Sequence, residues 1–544
     1  MEELTLKKNR TLVSSEYHLP PQGIEPIRRN ELIGDFKNYI ETQKEHFLGY
    51  QANQDIEFQS ETAEFLNYHV NNIGDPFTNG NFTINSKVME KEVLDYYARL
   101  WHAKARKEND LQDPESYWGY VLTMGSSEGN IYGLWNARDY LAGRQLEVDK
   151  DSNKLGRTNY LQPKAIVTDT GTNAYTPVAF FSEDAHYSIT KFMRVLGIGT
   201  FNEIGEKYYK GQNPLDPNGD WSKNKEVPSV DGSAGPGSVD VKKLATLVEF
   251  FASKGYPILV ICNFGSTFKG AYDDVEDVQN TLMPIFKKYG LVDRKVTYED
   301  NKGNRHEDIR NGYWIHVDGA LGSSYMPFVE KAYEEKKISQ RGPNFDFRLP
   351  GVNSIVMSGH KWPGAPWPCG IFMTKSKYQL FPPDDPAYIG SPDTTFSGSR
   401  NGFSAIIMWD FLARNSYDTQ IDKVVECEHI VKYAEEQLNK LQKEHYPHLD
   451  LYVARTPLAL TVRFRRPNDK LVFKYSLSCE SLMVATADGK EVQHDYAHVY
   501  AMTLVTENLI DEFIKDLQDK DAFPQVKSDK VNAIPRFGHS SGWK

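Results

Sequence analysis

The sequence predicts an α/β protein: a mainly parallel sheet covered by helices, followed by a small α+β domain. Three observations carry that prediction. Short apolar runs alternate with amphipathic stretches across roughly residues 115–375, the pattern of parallel strands joined by helical crossovers. Tyr117–Met124 reads as a strand that turns through Ser126-Ser127 into an amphipathic stretch with Ile131, Leu134, Trp135 and Leu141. From about residue 403 the composition shifts to long charged amphipathic helices interrupted by a few apolar runs.

Bulk properties narrow the class. The 544 residues suffice for a large core and more than one domain. A hydrophobic content of 40% with 25% charged residues is that of a soluble globular chain. A net charge of −11, with no basic stripe, argues against nucleic acid as the partner. No apolar run is long enough to span a bilayer, and the polar stretch Met1–Arg10 is not a signal peptide. Cys262, Cys369, Cys427 and Cys479 lack metal-ligand spacing, which predicts packing roles in a reducing cytoplasm and no metal site.

Taken in order, residues 1–45 are a polar lead-in with a helix expected over Ile33–Phe47. Tyr50–Phe77 is turn-rich and aromatic. Val88, Val93, Leu94, Tyr97, Leu100 and Trp101 recur at helical spacing and predict a core-facing helix. After the Tyr117 strand, Ala165-Ile166-Val167 and Val178–Phe181 are short apolar runs, the second leading to Ser182–Ser188 with His186 inside it. Gly205–Ser238, rich in Gly, Pro, Asn, Asp and Lys, reads as a surface insertion. Pro257–Cys262 is a buried strand by its continuous apolarity, ending at Asn263-Phe264-Gly265-Ser266-Thr267. Asp273-Asp274 caps the helix that starts at Val275. Arg294–Asn311 and Glu330–Arg341 are charged excursions on either side of the strand Trp314–Asp318.

Val352–Met357 is the next strand, ending in Ser358-Gly359-His360-Lys361, and Trp367–Met373 returns. Phe381–Gly390 has the proline-rich composition of an active-site lid. The C-terminal region holds a helix over Val424–Leu441, apolar runs Leu458–Phe464 and Val499–Val505, and a helix Leu509–Leu517. His494, Asp495 and His498 there read as structural, and the tail after Phe523 as extended.

Three of these segments carry chemistry. A lysine at the end of an apolar strand is costly to desolvate, and burial lowers its pKa until the neutral amine attacks carbonyls; Lys361 has that position. Asp318 brings one carboxylate to another strand end, followed by the small residues Gly319 and Ala320. Ser126 and Ser127 open a helix, whose free N–H groups and positive dipole end suit a phosphate. Each segment alone has a bland reading: an exposed lysine, a strand-terminating aspartate, a helix cap.

Together, with Leu48–Gln54, Asn71–Phe77 and Ser397–Gly402, they resemble the group II pyridoxal-phosphate amino acid decarboxylases, nearest the histidine and serine branch and related to the aromatic L-amino acid decarboxylases, over about Leu48–Val505. The resemblance implies the aspartate aminotransferase-like fold (fold type I), with a seven-stranded large domain at 76–400, a small α+β domain at 401–544, and an N-terminal segment, 1–75, packed on a partner subunit. It implies pyridoxal 5'-phosphate bound through Lys361, with Asp318 at the ring nitrogen and His186 on the ring face. Ser126, Ser127, Ser358 and His360 would hold the phosphate, Ser266 and Ala320 would complete the site, and Ser399 would reach in from the other subunit of a homodimer with shared active sites. Tyr388, on the lid, would protonate the α-carbon. The expected reaction converts an aromatic or imidazole L-amino acid to its amine and CO2. Serine decarboxylation, an aldehyde-forming or aminotransferase outcome, and a cofactor-free binding protein stay open as alternatives.

Overall fold

The computed structural model describes residues 12, 14–58, 62–106, 113–144, 147–149, 159–161, 173–299, 303–379, 386–485 and 490–523. The run Ala165-Ile166-Val167, residues 380–385 of the proline-rich loop and the tail after Phe523 lie outside the described residues.

Seven strands form the main sheet: β1 (Tyr117–Leu122), β2 (Val178–Phe181), β3 (Gly199–Thr200), β4 (Ile258–Asn263), β5 (Tyr313–Asp318), β6 (Val352–Ser358) and β7 (Gly370–Lys375). Their order is β1-β7-β6-β5-β4-β2-β3. Strands β6, β5, β4, β2 and β3 pair in parallel, and β7 runs antiparallel to both its neighbours. Burial on both faces explains the largely apolar character of these runs: β1, β2, β4, β5 and β6 are buried at every position. Because β1, β2, β4, β5 and β6 point one way, the segments after Leu122, Phe181, Asn263, Asp318 and Ser358 emerge at a single edge. That carboxyl edge is where open α/β sheets bind ligands.

Four helices place the rest of the N-terminal half: α1 (Pro26–Glu45), α2 (Lys87–Leu100), α3 (Ser126–Leu141) and α4 (Ser188–Leu196). Helix α1 starts earlier than expected, with Pro26 at its first position, where a missing N–H costs nothing. The predicted stripe of α2 is buried at Val93, Leu94, Tyr97 and Leu100, whereas Val88 is exposed. Val88 lies in the first turn, where Lys87 and Glu90 are the buried positions.

Three antiparallel strands, β8 (Thr461–Arg465), β9 (Ser478–Ala485) and β10 (Glu491–Tyr500), form a second sheet in the order β8-β10-β9. It shares a hydrophobic cluster with the long helix Tyr417–His445, the helix Glu507–Leu517 and Leu48 from the N-terminal segment. The expected excursion at Arg294–Asn311 is a hairpin of Arg294–Glu299 with Arg305–Arg310. Among the described residues no helix is long and apolar enough to cross a membrane.

The expected surface insertion at Gly205–Ser238 is exposed at many positions, as expected, but is anchored to the body of the protein at several others. Trp221 and Val227 are buried in the main core. Ser229 is fully buried, donating its hydroxyl to Asp184 at 2.6 Å. Arg463 of β8 donates to the carbonyl of Gly235 at 2.9 Å. Polar and glycine-rich composition marks irregular backbone, and here that backbone is satisfied internally rather than by water.

A buried ion pair ties the segment before helix Gly402–Arg414 to α2 and β1. Arg400 and Glu90 are 2% and 0% exposed and pair directly. Glu90 also accepts from the Val121 amide at 2.9 Å and from Asn72 Nδ2 at 2.8 Å, while Arg400 donates to Gly74 O at 3.1 Å. Removing one partner strands the other charge in a dry environment, so Glu90→Leu is expected to lower unfolding free energy by about 3–5 kcal/mol in urea titrations, and the double change Glu90→Leu/Arg400→Met to lose less than the single one.

Candidate active site

The carboxyl edge of the sheet opens into a cavity of about 280 Å³ lined by Met124, Ser126, Ser127, His186, Tyr187, Asn263, Gly265, Ser266, Thr267, Asp318, Ala320, Ser358, His360, Lys361 and Pro368. Nine of the residues singled out from the sequence meet there: Ser126, Ser127, His186, Ser266, Asp318, Ala320, Ser358, His360 and Lys361.

Lys361 follows directly from β6, after a tight turn through Gly359 and His360. Its ε-amine donates to Gln51 Oε1 at 2.5 Å. Burial pulls the amine down to about 8 from its usual value near 10.5, and the Asp318 carboxylate offsets only part of that. Asp318, at the end of β5, is 6% exposed and accepts from Asn130 Nδ2 at 2.9 Å and from the Ala320 amide at 3.3 Å. Strand register sets Asp318 between Asn263 on β4 and Val356 on β6.

The opposite wall is the start of α3. Gly125 precedes the helix at φ +70°, and a Cβ there would lie 2.8 Å from His360 Cε1, so only glycine lets the turn approach the histidine. The Ser126 amide donates to Ser358 Oγ at 3.1 Å, and Ser358 Oγ bonds Ser126 Oγ at 2.9 Å. Glu128 sits in the same first turn but reaches back, accepting from the amides of Thr123 and Met124 at 2.7 and 2.9 Å. Burial, reinforced by the Lys361 charge, pushes His360 down to about 4. His186 Nδ1 contacts Ser188 Oγ at 2.6 Å and faces the Ser188 amide at 3.4 Å. The amide makes Nδ1 the acceptor and leaves Nε2 with the proton. Burial lowers the His186 pKa, with Asp318 opposing and Lys361 assisting.

Two predicted residues stand apart. Tyr388 is 79% exposed and Ser399 lies at the surface, accepting from Asn71 Nδ2 at 3.2 Å; neither lines this cavity. Gln51 was missed as an individual residue. Its Nε2 donates to Tyr500 Oη at 2.7 Å and Thr267 O at 3.1 Å, which turns its carbonyl oxygen toward Lys361. Nothing local in the sequence marks it, because its partners lie 216, 310 and 449 positions away. Asp274 caps its helix as expected, accepting from Asp277 N at 3.0 Å. Its neighbour Asp273 instead accepts from the amides of Val239 and Asn263, both at 2.7 Å, and burial raises it to about 7.

A buried amine, one carboxylate at a neighbouring strand end and a helix N-terminus opposite form the donor set of an aldehyde-, pyridine- and phosphate-bearing cofactor. Comparison with known proteins agrees. Residues 223–453 match the pyridoxal-dependent decarboxylase conserved domain. The structure is similar to L-methionine decarboxylase from Streptomyces sp. 590, with 43% identity, coverage of 94% of this chain and 99% of that one, and a TM-score of 0.85.

The chain belongs to the pyridoxal-dependent decarboxylase family.

This decarboxylase is also similar to histidine decarboxylase of Solanum lycopersicum (28% identity over 91% of this chain and 90% of the relative). Serine decarboxylase 2 of Oryza sativa subsp. japonica is 27% identical, over 90% of this chain and 78% of the relative. The decarboxylase is a carboxy-lyase of fold type I that uses pyridoxal 5'-phosphate and acts on an amino acid. The site fits the cofactor on its own geometry: the cradle at Gly125 that a Cβ would fill, the serine hydroxyls at the helix start, and an amine held near neutrality.

The depressed lysine sets a pH dependence. Only the neutral amine attacks an aldehyde, so its share falls tenfold per pH unit below the pKa and levels off above it. Capture of added pyridoxal phosphate by apoenzyme, followed by stopped-flow absorbance, should therefore steepen below pH about 8 and plateau above it. An unshifted lysine would keep accelerating past pH 10.

Proposed function

We propose that the decarboxylase removes the α-carboxylate of L-methionine, or of an L-amino acid with a similarly slender uncharged side chain, and releases the amine. The observation that carries this reading is the 43% identity to L-methionine decarboxylase across nearly the full length of both chains, against 28% to a histidine decarboxylase. The cavity supports it. At about 280 Å³ it lies near the roughly 300 Å³ lower bound of small-molecule sites, and the cofactor shares it, which favours a thin side chain over an indole. Among the described residues, the titratable groups lining it apart from Lys361 and Asp318 are Tyr187 and the two histidines, which offer a charged side chain no dedicated counter-ion. The aromatic or imidazole substrate expected from the sequence is the competing reading, and the similarity to a histidine decarboxylase favours it.

Pyridoxal phosphate supplies a protonated ring that takes up the electrons of the breaking Cα–carboxylate bond. Lys361 would hold the cofactor through its ε-amine, which burial keeps near neutrality. Asp318 keeps the proton on the ring nitrogen. The Ser126 and Ser127 end of α3, with Ser358 and His360, receives the phosphate. His186 and Ala320 bound the space available to the ring, and Ser266 borders the substrate side. Tyr388 delivers a proton to Cα after CO2 leaves.

The exposure of Tyr388 supports a homodimer in which the tyrosine and Ser399 of one subunit serve the partner's cavity. Ile27, Ile33, Phe36 and Ile40 of α1 are all exposed, an apolar set in the N-terminal segment suited to covering by a second copy.

Two experiments test the reading. CO2 release from a panel of L-methionine, histidine, serine, tryptophan and tyrosine should be fastest with methionine and yield the amine; preference for histidine would return the imidazole reading, and an aldehyde product would overturn decarboxylation to the amine. In a refolded mixture, Lys361→Ala and Tyr388→Phe chains, each inactive or slow alone, should recover about a quarter of wild-type activity through heterodimers with one intact site. A tyrosine that served its own subunit would give no recovery.

A further inference from the structure

Behind Asp318 runs a hydrogen-bond chain that crosses the sheet. Asn130 Nδ2 donates to Asp318 Oδ2 at 2.9 Å, Asn130 Oδ1 faces His316 Nε2 at 2.8 Å, and His316 Nδ1 faces Ser354 Oγ at 2.8 Å. Trp314 Nε1 donates to that same Ser354 Oγ at 3.0 Å. Every member is buried: Asn130 is 2% exposed, and His316, Ser354 and Trp314 are 0% exposed. Helix α3 comes close enough to make the contact because Gly133 faces the imidazole; a Cβ there would sit 3.1 Å from His316 Cε1.

The chain has one consistent direction. An ionised carboxylate only accepts, so Asn130 must turn its amide N–H groups toward Asp318. Its oxygen then faces His316, which must donate from Nε2. Nδ1 is left as acceptor and takes the Ser354 hydroxyl proton, and Ser354 in turn accepts from the indole N–H. Reversing any link sets two lone pairs or two protons against each other in a dry interior, where an unmade hydrogen bond is costly. Burial holds His316 down to about 4 despite the nearby Asp318 charge, so the ring is neutral in the working range and the tautomer is locked.

We propose that Asn130 and His316 are positioning residues that keep Asp318 ionised and oriented, and thereby keep the proton on the cofactor's ring nitrogen. A donor bond to Asp318 stabilises the carboxylate over the acid, which shifts the shared proton toward the ring. The second partner fixes the first, as outer residues fix the tautomer and orientation of metal-ligating histidines. No single bond is strong; the closure of the chain gives it its hold.

The test uses two readouts that do not depend on turnover. In the unaltered enzyme labelled with 15N-histidine, the His316 resonance (assigned by its loss in His316→Gln) should show an Nε2–H tautomer that does not titrate between pH 6 and 8.5. An Nδ1–H tautomer, or titration in that window, overturns the proposal. In enzyme reconstituted with ring-15N cofactor, the wild-type nitrogen should be protonated, shifted toward the unprotonated position in His316→Leu, and largely restored in His316→Gln, whose amide can still donate to Asn130. His316→Leu should also lower kcat on the order of tenfold with little change in KM. The proposal rests on Asp318 facing the ring nitrogen, and Asp318→Asn separates the two: a shift there but none in His316→Leu removes the relay and leaves Asp318 its role, whereas no shift in Asp318→Asn removes both.

Discussion

The fold exists to bring an amine and a carboxylate to the same dry edge without letting them neutralise each other. Lys361 and Asp318 sit at the ends of adjacent parallel strands, β6 and β5, whose register is fixed by the backbone ladder. Burial penalises the lysine cation, and the aspartate charge compensates only in part, which leaves an amine near neutrality. Had the two side chains met in a direct salt bridge, Coulomb attraction in a low dielectric would have kept the lysine charged. Instead the structure gives each its own partner: Gln51 Oε1 for the amine, Asn130 Nδ2 and the Ala320 amide for the carboxylate. That separation leaves the amine near neutrality and the carboxylate with hydrogen-bond partners of its own.

The parts of this site that were legible in the sequence are those where local pattern and chemistry coincide. A mostly apolar run followed by Ser358-Gly359-His360-Lys361 states both a strand and its end. The run into Asp318 and the small residues opening α3 do the same, and topology then needs only parallel pairing to bring the three together. The relay behind Asp318 was also written in these segments, but no pattern marks it. His316 occupies a β5 position that any apolar residue fills equally well by periodicity, and Asn130 lies inside a helix. Their meaning appears only when α3 lies on the sheet.

What could not be read was set by distance along the chain or by composition that misleads. Gln51 gains its role from Lys361, Thr267 and Tyr500, all far away in sequence. The stretch 205–238 has the composition of a surface loop, yet Trp221 and Ser229 anchor it inside, because glycine and asparagine report backbone irregularity and not exposure. Tyr388 and Ser399 are exposed and do not line the cavity of their own chain, so their expected roles are not legible in one copy.

His498 shows how the second sheet enters the active site without touching the chemistry. Its ring lies between two carbonyls, Phe268 O at 2.8 Å from Nδ1 and Gly49 O at 2.9 Å from Nε2. Burial lowers its pKa, while the two carbonyls, one at each ring nitrogen, oppose that by favouring the doubly protonated ring. The two backbone segments it joins carry Gln51 and the Ser266-Thr267 turn, and Tyr500, two residues on along β10, bonds both Ser266 O and Thr267 O at 3.2 and 3.0 Å. Alternation along a strand puts His498 and Tyr500 on one face, so a single strand of the C-terminal sheet clamps two walls of the cavity at once. Substrate contacts built on such loops need that clamp, since loops hold a geometry only as well as the elements beneath them. The lysine's amide partner is thus held by residues 449 positions away, and the small domain belongs to the active site as its support.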